Sequence, residues 1–154
     1  MDAPRWFNAC ADGNLNQVKA LLSSGVDIEQ TDESYTALSV ASQTGQYSVV
    51  DYLLSQGANV EAKSNDGGSP LHVCCQEGHH NVAGLLISKG ADVEARTTDG
   101  FTPLLICCHK GHHNVAELLI SKGADLEARA KAGSTPLLLC CQEGHHNVAE
   151  LLIS

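Results

Sequence analysis

The chain reads as an all-α solenoid of about five stacked helix–turn–helix units, and three observations carry that reading. The first is a block that returns every 33 residues. Pro70-Leu71, Pro103-Leu104 and Pro136-Leu137 each follow Ser69, Thr102 or Thr135, and each precedes a Cys-Cys pair, then Gly-His-His-Asn-Val-Ala and Leu-Leu-Ile-Ser. The second is the register: Thr102–Ser121 and Thr135–Ser154 are identical at 17 of 20 positions. The third is that Gly45, Gly78, Gly111 and Gly144 recur at the same spacing of 33. A fixed period of this length marks units too small to bury a core alone, which stack on their neighbours to do so.

Taken in order, the chain predicts a single domain over 1–154 with repeats at approximately 3–35, 36–68, 69–101, 102–134 and 135–154, the last one truncated. The first repeat is divergent, marked by Gly13, Leu21-Leu22 and Gly25-Val26-Asp27-Ile28. Gly13 and Gly45 are 32 apart rather than 33, so one residue is missing from the turn around Glu33–Tyr35. Within the fourth repeat, Thr102 suits an N-cap, and Pro103 at the first helical position gives up only an N–H that has no partner there. Leu104, Ile106, Cys107 and Cys108 make a short helix with a small apolar inner face. Gly111 stops it, because φ > 0 is cheap only for glycine. A second helix follows over roughly Asn114–Ser121, with Val115, Leu118 and Leu119 spaced three and four apart. Lys122 sits near its end, favourable to the helix dipole, and Gly123 closes it. Ala124–Arg129 is extended and leads to a turn at Ala132-Gly133, a projecting hairpin-like loop.

Composition narrows the function classes. A net charge of −9 disfavours nonspecific binding to nucleic acid or an anionic membrane, both of which need an excess of Lys and Arg. No apolar run reaches the roughly 18 residues of a membrane span. Met1, Asp2, Trp6 and Phe7 belong to a repeat-like stretch rather than a secretory signal. Seven cysteines, an odd number outside any secreted-type framework, suit free thiols in a reducing compartment, the cytoplasm or the nucleus.

These motifs resemble the ankyrin repeat family over essentially the whole chain. The carriers are Ser69-Pro70-Leu71-His72, the Thr-Pro-Leu openings at Thr102 and Thr135, the Gly-His pairs at Gly78, Gly111 and Gly144, and Gly-Ala-Asp at Gly90 and Gly123. The resemblance implies an L-shaped stack, with helices on one arm and hairpin fingers on the other, and a protein partner lying against the fingers and inner helices. Three departures stand out. Cys-Cys at Cys74, Cys107 and Cys140 replaces the usual Ala-Ala. Only His72 keeps the His of the opening tetrapeptide; Ser39, Leu105 and Leu138 stand elsewhere, which should weaken those helix starts. Glu94 and Glu127 replace the family's frequent Asn. The chain stops inside the second helix of its last repeat without a polar cap. That suits a fragment of a longer protein, and end-to-end self-association through Val148, Leu151, Leu152 and Ile153.

Two constellations bear on chemistry. Cys74, Cys75, His79 and His80, with their copies after Cys107 and Cys140, have the ligand types of zinc, which needs four donors at about 2.0–2.3 Å. Sets in successive repeats should lie roughly 8–10 Å apart, too far to share one ion. The favoured reading has Cys as a small buried hydrophobe and the first His of each pair bonding backbone at the helix junction. The second His of each pair, His80, His113 and His146, is expected to be exposed along one edge, as a solvated residue or a weak metal or pH-responsive site. No phosphate loop, nucleophile elbow or metalloprotease motif appears, so no enzyme, cofactor or catalytic residue is expected.

The other constellation is the binding face that the resemblance implies. On the fingers it comprises Tyr35, Asn65, Asp66, Arg96, Thr98, Asp99, Phe101, Arg129 and Lys131. On the first helices it comprises Gln43, Gln76, Glu77, His109, Lys110, Gln142 and Glu143. Tyr35 and Phe101 share the slot before the repeat-opening Thr, either as interface anchors or as covers for their own turns. Arg96, Lys110, Arg129 and Lys131 place four of the nine basic residues here, a mild preference for a partner with acidic groups. The expected function is a noncatalytic protein-interaction module. The alternatives are a metal- or redox-responsive scaffold on the Cys and His sets, or a regulatory or targeting segment of a longer multidomain protein.

Overall fold

The threonine and glycine signals translate directly into helix ends. In this computed structural model, which describes residues 2–154, Thr36, Ser69, Thr102 and Thr135 sit at N-caps in extended backbone. Their hydroxyls accept from the N–H groups of Ser39, His72, Leu105 and Leu138 at 3.2–3.4 Å. Pro70, Pro103 and Pro136 take the first helical position, and Gly78, Gly111 and Gly144 close the helices in the left-handed region. Met1, the first residue of the predicted domain, lies outside the described residues.

The elements in chain order are α1 (Asp2–Asp12), α2 (Leu15–Ser23), β1 (Thr31–Asp32), β2 (Tyr35–Thr36), α3 (Ala37–Gln43), α4 (Tyr47–Ser55), α5 (Pro70–Glu77), α6 (His80–Ser88), α7 (Pro103–Lys110), α8 (His113–Ser121), α9 (Pro136–Glu143) and α10 (His146–Ile153). Consecutive helices pair into units. The inner helices α1, α3, α5, α7 and α9 pack in sequence on one another, and the outer helices α2, α4, α6, α8 and α10 form a second layer behind them. No helix among the described residues is long and apolar enough to cross a membrane.

The core runs between the two layers. Leu71, Cys74 and Cys75 from α5 and Leu104, Cys107 and Cys108 from α7 are buried, facing Val82, Leu86, Val115 and Leu119 from the outer helices. Fully burying one such aliphatic side chain contributes about 1.5–3 kcal/mol. In the last helix pair the same periodic positions leave Leu137, Leu138 and Ile153 exposed.

Polar bonds fix the register between units. The Nε2–H of His79, His112 and His145 donates to the carbonyls of Gln43, Gln76 and His109 at 2.9–3.0 Å, one unit back. A carbonyl only accepts, so each Nε2 carries the proton. At the outer loops, carboxylates of Glu29, Glu61 and Glu94 accept from the N–H of Asn59, Asp92 and Asp125 at 2.7–2.8 Å. The Glu that departs from the family's Asn therefore ties one unit to the next.

The fingers differ in construction. The first is a two-residue hairpin: Thr31 pairs with Thr36 and Asp32 with Tyr35, with Glu33 and Ser34 at φ 49° and 77°. The later fingers carry the extra residue. In the second, Ser64 N–H donates to Gly68 O and Gly67 N–H to Ser64 O, both at 2.9 Å. The missing residue thus converts a bulged loop into a tight turn.

Candidate functional site

Two structural features build one continuous face. The fingers line up because each bonds to the last: Thr98 N–H donates to Asp66 O and Lys131 N–H to Asp99 O, both at 2.9 Å, and Asn65 N–H reaches Ser34 Oγ at 3.3 Å. The inner helices stop at glycine, which leaves the two preceding residues pointing out beside the fingers.

Of the residues expected there, Gln43, Asn65, Asp66, Gln76, Glu77, Arg96, Thr98, Asp99, Lys110, Arg129, Lys131, Gln142 and Glu143 are exposed. Tyr35, Phe101 and His109 are half-buried. Several are engaged by the scaffold as well. Arg96 Nη1 donates to Gly100 O at 2.9 Å within its own finger and to Arg129 O at 2.8 Å in the next. The Asp66 carboxylate accepts from the Ser64 hydroxyl and from Gly68 N–H, and these bonds hold it below the ordinary carboxylate range. His109 Nδ1 and Glu143 Oε1 approach to 3.6 Å across a unit boundary. Phe101 packs against the core cluster, and its carbonyl accepts from His72.

His72 explains what the departures at Ser39, Leu105 and Leu138 cost. Its Nδ1 accepts from Ser69 N–H at 3.1 Å while its Nε2–H is shared between Ala95 O and Phe101 O, both at 3.0 Å. Among the described residues only Ser69 and His72 form this reciprocal cap; Thr36, Thr102 and Thr135 cap α3, α7 and α9 by the hydroxyl alone. Burial, the largest influence, depresses the His72 pKa, since a charged imidazole would lose solvation there.

The cysteines are buried as expected of small apolar side chains, except Cys141, which is exposed with no following unit packed on it. Neighbouring inner helices nevertheless bring thiols together: Cys75 lies beside Cys107 across the boundary between the third and fourth units, and Cys108 beside Cys140 across the next. Spacing along the sequence does not show this, because the second cysteine of one unit meets the first of the next. Among the described residues, no group of three or more His, Cys, Asp or Glu is arranged to hold a metal ion. His80 and His146 are exposed; His113 is half-buried, its Nδ1 at 3.5 Å from Asn114 Oδ1.

Sequence reasoning also missed a groove of about 530 Å³ on the outer face, lined by Tyr47, His80, Asn81, Gly84, Leu85 and Leu118 among others. Gly84 stands where Glu117 and Glu150 stand in the next two units, and that substitution was the available signal.

Comparison with known proteins bears on this face. The family model described as Ankyrin repeats (3 copies) matches residues 6–97 and 94–154. Protein phosphatase 1 regulatory subunit 27 from Homo sapiens is 41% identical over 63 residues, 40% of this chain and 41% of that protein. Ankyrin repeat domain-containing protein 39 from Homo sapiens is 38% identical over 60 residues, 38% of this chain and 33% of that protein. Palmitoyltransferase AKR1 from Naumovozyma castellii is 45% identical over 64 residues, 40% of this chain but 8% of that protein. The chain thus spans less than half the length of each of these relatives. With the family match covering nearly every residue, and the helix pairs and fingers following the same period, the chain belongs to the ankyrin repeat family.

Proposed function

We propose that the finger ridge and the exposed ends of the inner helices form a noncatalytic binding face for a protein partner. The observation that carries this is where the third and fourth units differ. Over 33 positions the apolar exchanges are conservative, Val73 for Ile106 and Val93 for Leu126, and the one buried change of polarity is His72 to Leu105. Apart from Gly84, which becomes Glu117 on the outer helix, the remaining changes of charge or polarity gather on the fingers and inner-helix ends: Gln76-Glu77 becomes His109-Lys110, Thr98-Asp99 becomes Lys131-Ala132, and Phe101 becomes Ser134. A scaffold that largely keeps its packing while varying mainly one face suits recognition, where a few residues carry most of the binding energy. A relative named as a regulatory subunit supports the same role, since a subunit works by contacting another protein.

Arg96 and Phe101 brace the fingers, so they are poor probes of binding alone. The test uses Lys110→Glu and Lys131→Glu, titrated against a partner identified by capture on the full chain. We expect an affinity loss of about tenfold or more, roughly 1.4 kcal/mol, with an unchanged thermal melt. Glu117→Ala and Glu150→Ala on the outer helices serve as controls. Binding lost in the outer-helix variants and kept in the lysine variants would place the site on the opposite face.

A further inference from the structure

The thiol contacts between units have no role in the binding face, and they form a pattern of their own. We propose that Cys75 with Cys107, and Cys108 with Cys140, are oxidisable pairs that a peroxide converts to disulfides, stapling the third, fourth and fifth units together. This inference goes beyond the binding reading and does not depend on it.

Three observations support it. In each pair the two thiols are neighbours across a unit boundary, on inner helices in direct contact. All four cysteines are buried, on helices that pack directly against each other: α5 on α7, and α7 on α9. Packing does not demand sulfur there. The positions matching Cys107 and Cys140 hold Ala9 and Ala41 in the first two units, and the positions matching Cys75 and Cys108 hold Cys10 and Ser42. Ala9 and Ala41 are just as buried, so an alanine fills the slot. Consequently neither earlier boundary has two sulfurs at the matching positions, and the pairs are confined to the near-identical units.

The chemistry balances with hydrogen peroxide as the two-electron oxidant. One sulfur, as thiolate, attacks a peroxide oxygen; the S–O bond forms, the O–O bond breaks, and the departing hydroxide takes up a proton to leave as water. The facing sulfur then attacks the sulfenic sulfur; the S–S bond forms, the S–O bond breaks, and a second water leaves with the remaining thiol proton. Each pair loses two electrons and each peroxide becomes two waters. Disulfide geometry requires Cα atoms about 4.4–6.8 Å apart, so such a bond can form only between inner helices packed directly on each other. Burial raises the pKa values of the Cys75, Cys108 and Cys140 thiols, which keeps thiolate scarce and makes the reaction slow in the closed stack.

The experiment uses the full chain carrying Cys141→Ser, which removes the exposed thiol and its intermolecular chemistry. Reduced protein is treated with hydrogen peroxide, alkylated in denaturant and mapped by mass spectrometry. The expected map links Cys75 to Cys107 and Cys108 to Cys140, leaving Cys10 and Cys74 alkylated. Each bridge closes a loop of about 32 residues, so Tm should rise by several degrees and fall back on reduction. Cys107→Ala, which copies Ala41, should lose the first bridge and keep the second. Bridges between neighbours such as Cys74 and Cys75, oxyacids without crosslinks, or thiols that react only after the stack has melted would each overturn the proposal.

Discussion

The boundary between the first two units and the three later boundaries hold one stack together with different parts. At the later ones an imidazole reaches back: His79, His112 and His145 each lie over a glycine of the preceding unit and donate to an inner-helix carbonyl. At the first, Gln46 does the same work, its Nε2 donating to Ala11 O at 2.9 Å while its amide lies over Gly13. The finger there is a tight turn without glycine, whereas Asp66-Gly67 and Asp99-Gly100 supply glycine at positive φ in the later fingers. What stays constant is the backbone's offer, a glycine beside an exposed carbonyl. The donor that answers it is interchangeable, provided it carries one N–H at the right reach.

The sharpest way to break that arrangement is at the glycine. A Cβ at Gly111 would lie 2.5 Å from His145 Nδ1, and the residue has φ 81°. Gly144 has nearly the same backbone, φ 74°, but nothing within 4 Å of the added carbon. Gly144→Ala should therefore cost only the left-handed strain, about 1–2 kcal/mol. Gly111→Ala should cost that plus the displaced hydrogen bond to His109 O, about 3 kcal/mol in total. Urea unfolding of both variants checks the difference, and His145→Ala in the Gly111→Ala background should recover part of it. Equal losses at the two glycines would show that the imidazole moves aside at no cost.

Much of this is legible in the chain itself, for identifiable reasons. Helix starts at Thr102 and Thr135 and stops at Gly111 and Gly144 depend on local chemistry, which sequence carries. So does the buried face made by Leu104, Cys107 and Cys108. The lost residue near Glu33 is visible as a spacing. Its consequence is not, because nothing in Glu33-Ser34 signals a turn that needs two positive φ angles. Sequence assigns Arg96 to a partner, and its hold on Arg129 O is hidden because that bond spans 33 residues and depends on finger stacking. The thiol pairs are hidden for a similar reason: helix spacing says how far apart axes lie and nothing about which side chains meet. The candidate face is therefore readable as a set of exposed positions, but the scaffold duties of Arg96, Asp66 and Phe101 are not.

A pH titration sharpens the contrast between the helix start that holds His72 and the one that holds Leu105. Folded, His72 is held neutral, with Nδ1 as acceptor and its pKa below the ordinary 6.5, chiefly because of burial. The unfolded chain takes up this proton near pH 6.5, while the folded chain takes it up only at lower pH. The unfolded state therefore binds more protons in the window between the two values, and stability rises with pH across it. His72's contribution is complete above about pH 6.5 and declines as pH falls toward the depressed value. His72→Leu, copying Leu105, should remove this slope while losing the bonds to Ala95 and Phe101. Urea midpoints of both proteins across the acid range supply the measurement. Parallel profiles would mean that folding leaves the proton affinity of the imidazole unchanged, and a slope of opposite sign would mean that the folded stack holds it charged.

The smallest expected effect lies in the first finger. Glu33 at φ 49° occupies the first central position of a two-residue hairpin, where asparagine is preferred because its short polar side chain tolerates the left-handed region. Glu33→Asn should stabilise the protein by about 0.5 kcal/mol, through relief of that strain alone. Ser34→Gly relieves more strain, at φ 77°, but it deletes the hydroxyl that accepts from Asn65 N–H and admits the entropy cost of glycine, about 0.5–1 kcal/mol. Those terms nearly cancel, so Ser34→Gly should be close to neutral. Asp99→Asn is the control, because Asp99 is not at positive φ and its finger already has Gly100 for that purpose. Urea unfolding ranks the three, and slower hydrogen exchange at Asp32 and Tyr35 in the Glu33→Asn protein would locate the gain in this hairpin. A gain from Asp99→Asn as large as that from Glu33→Asn would show that asparagine helps any finger, and that the shortened turn carries no strain of its own.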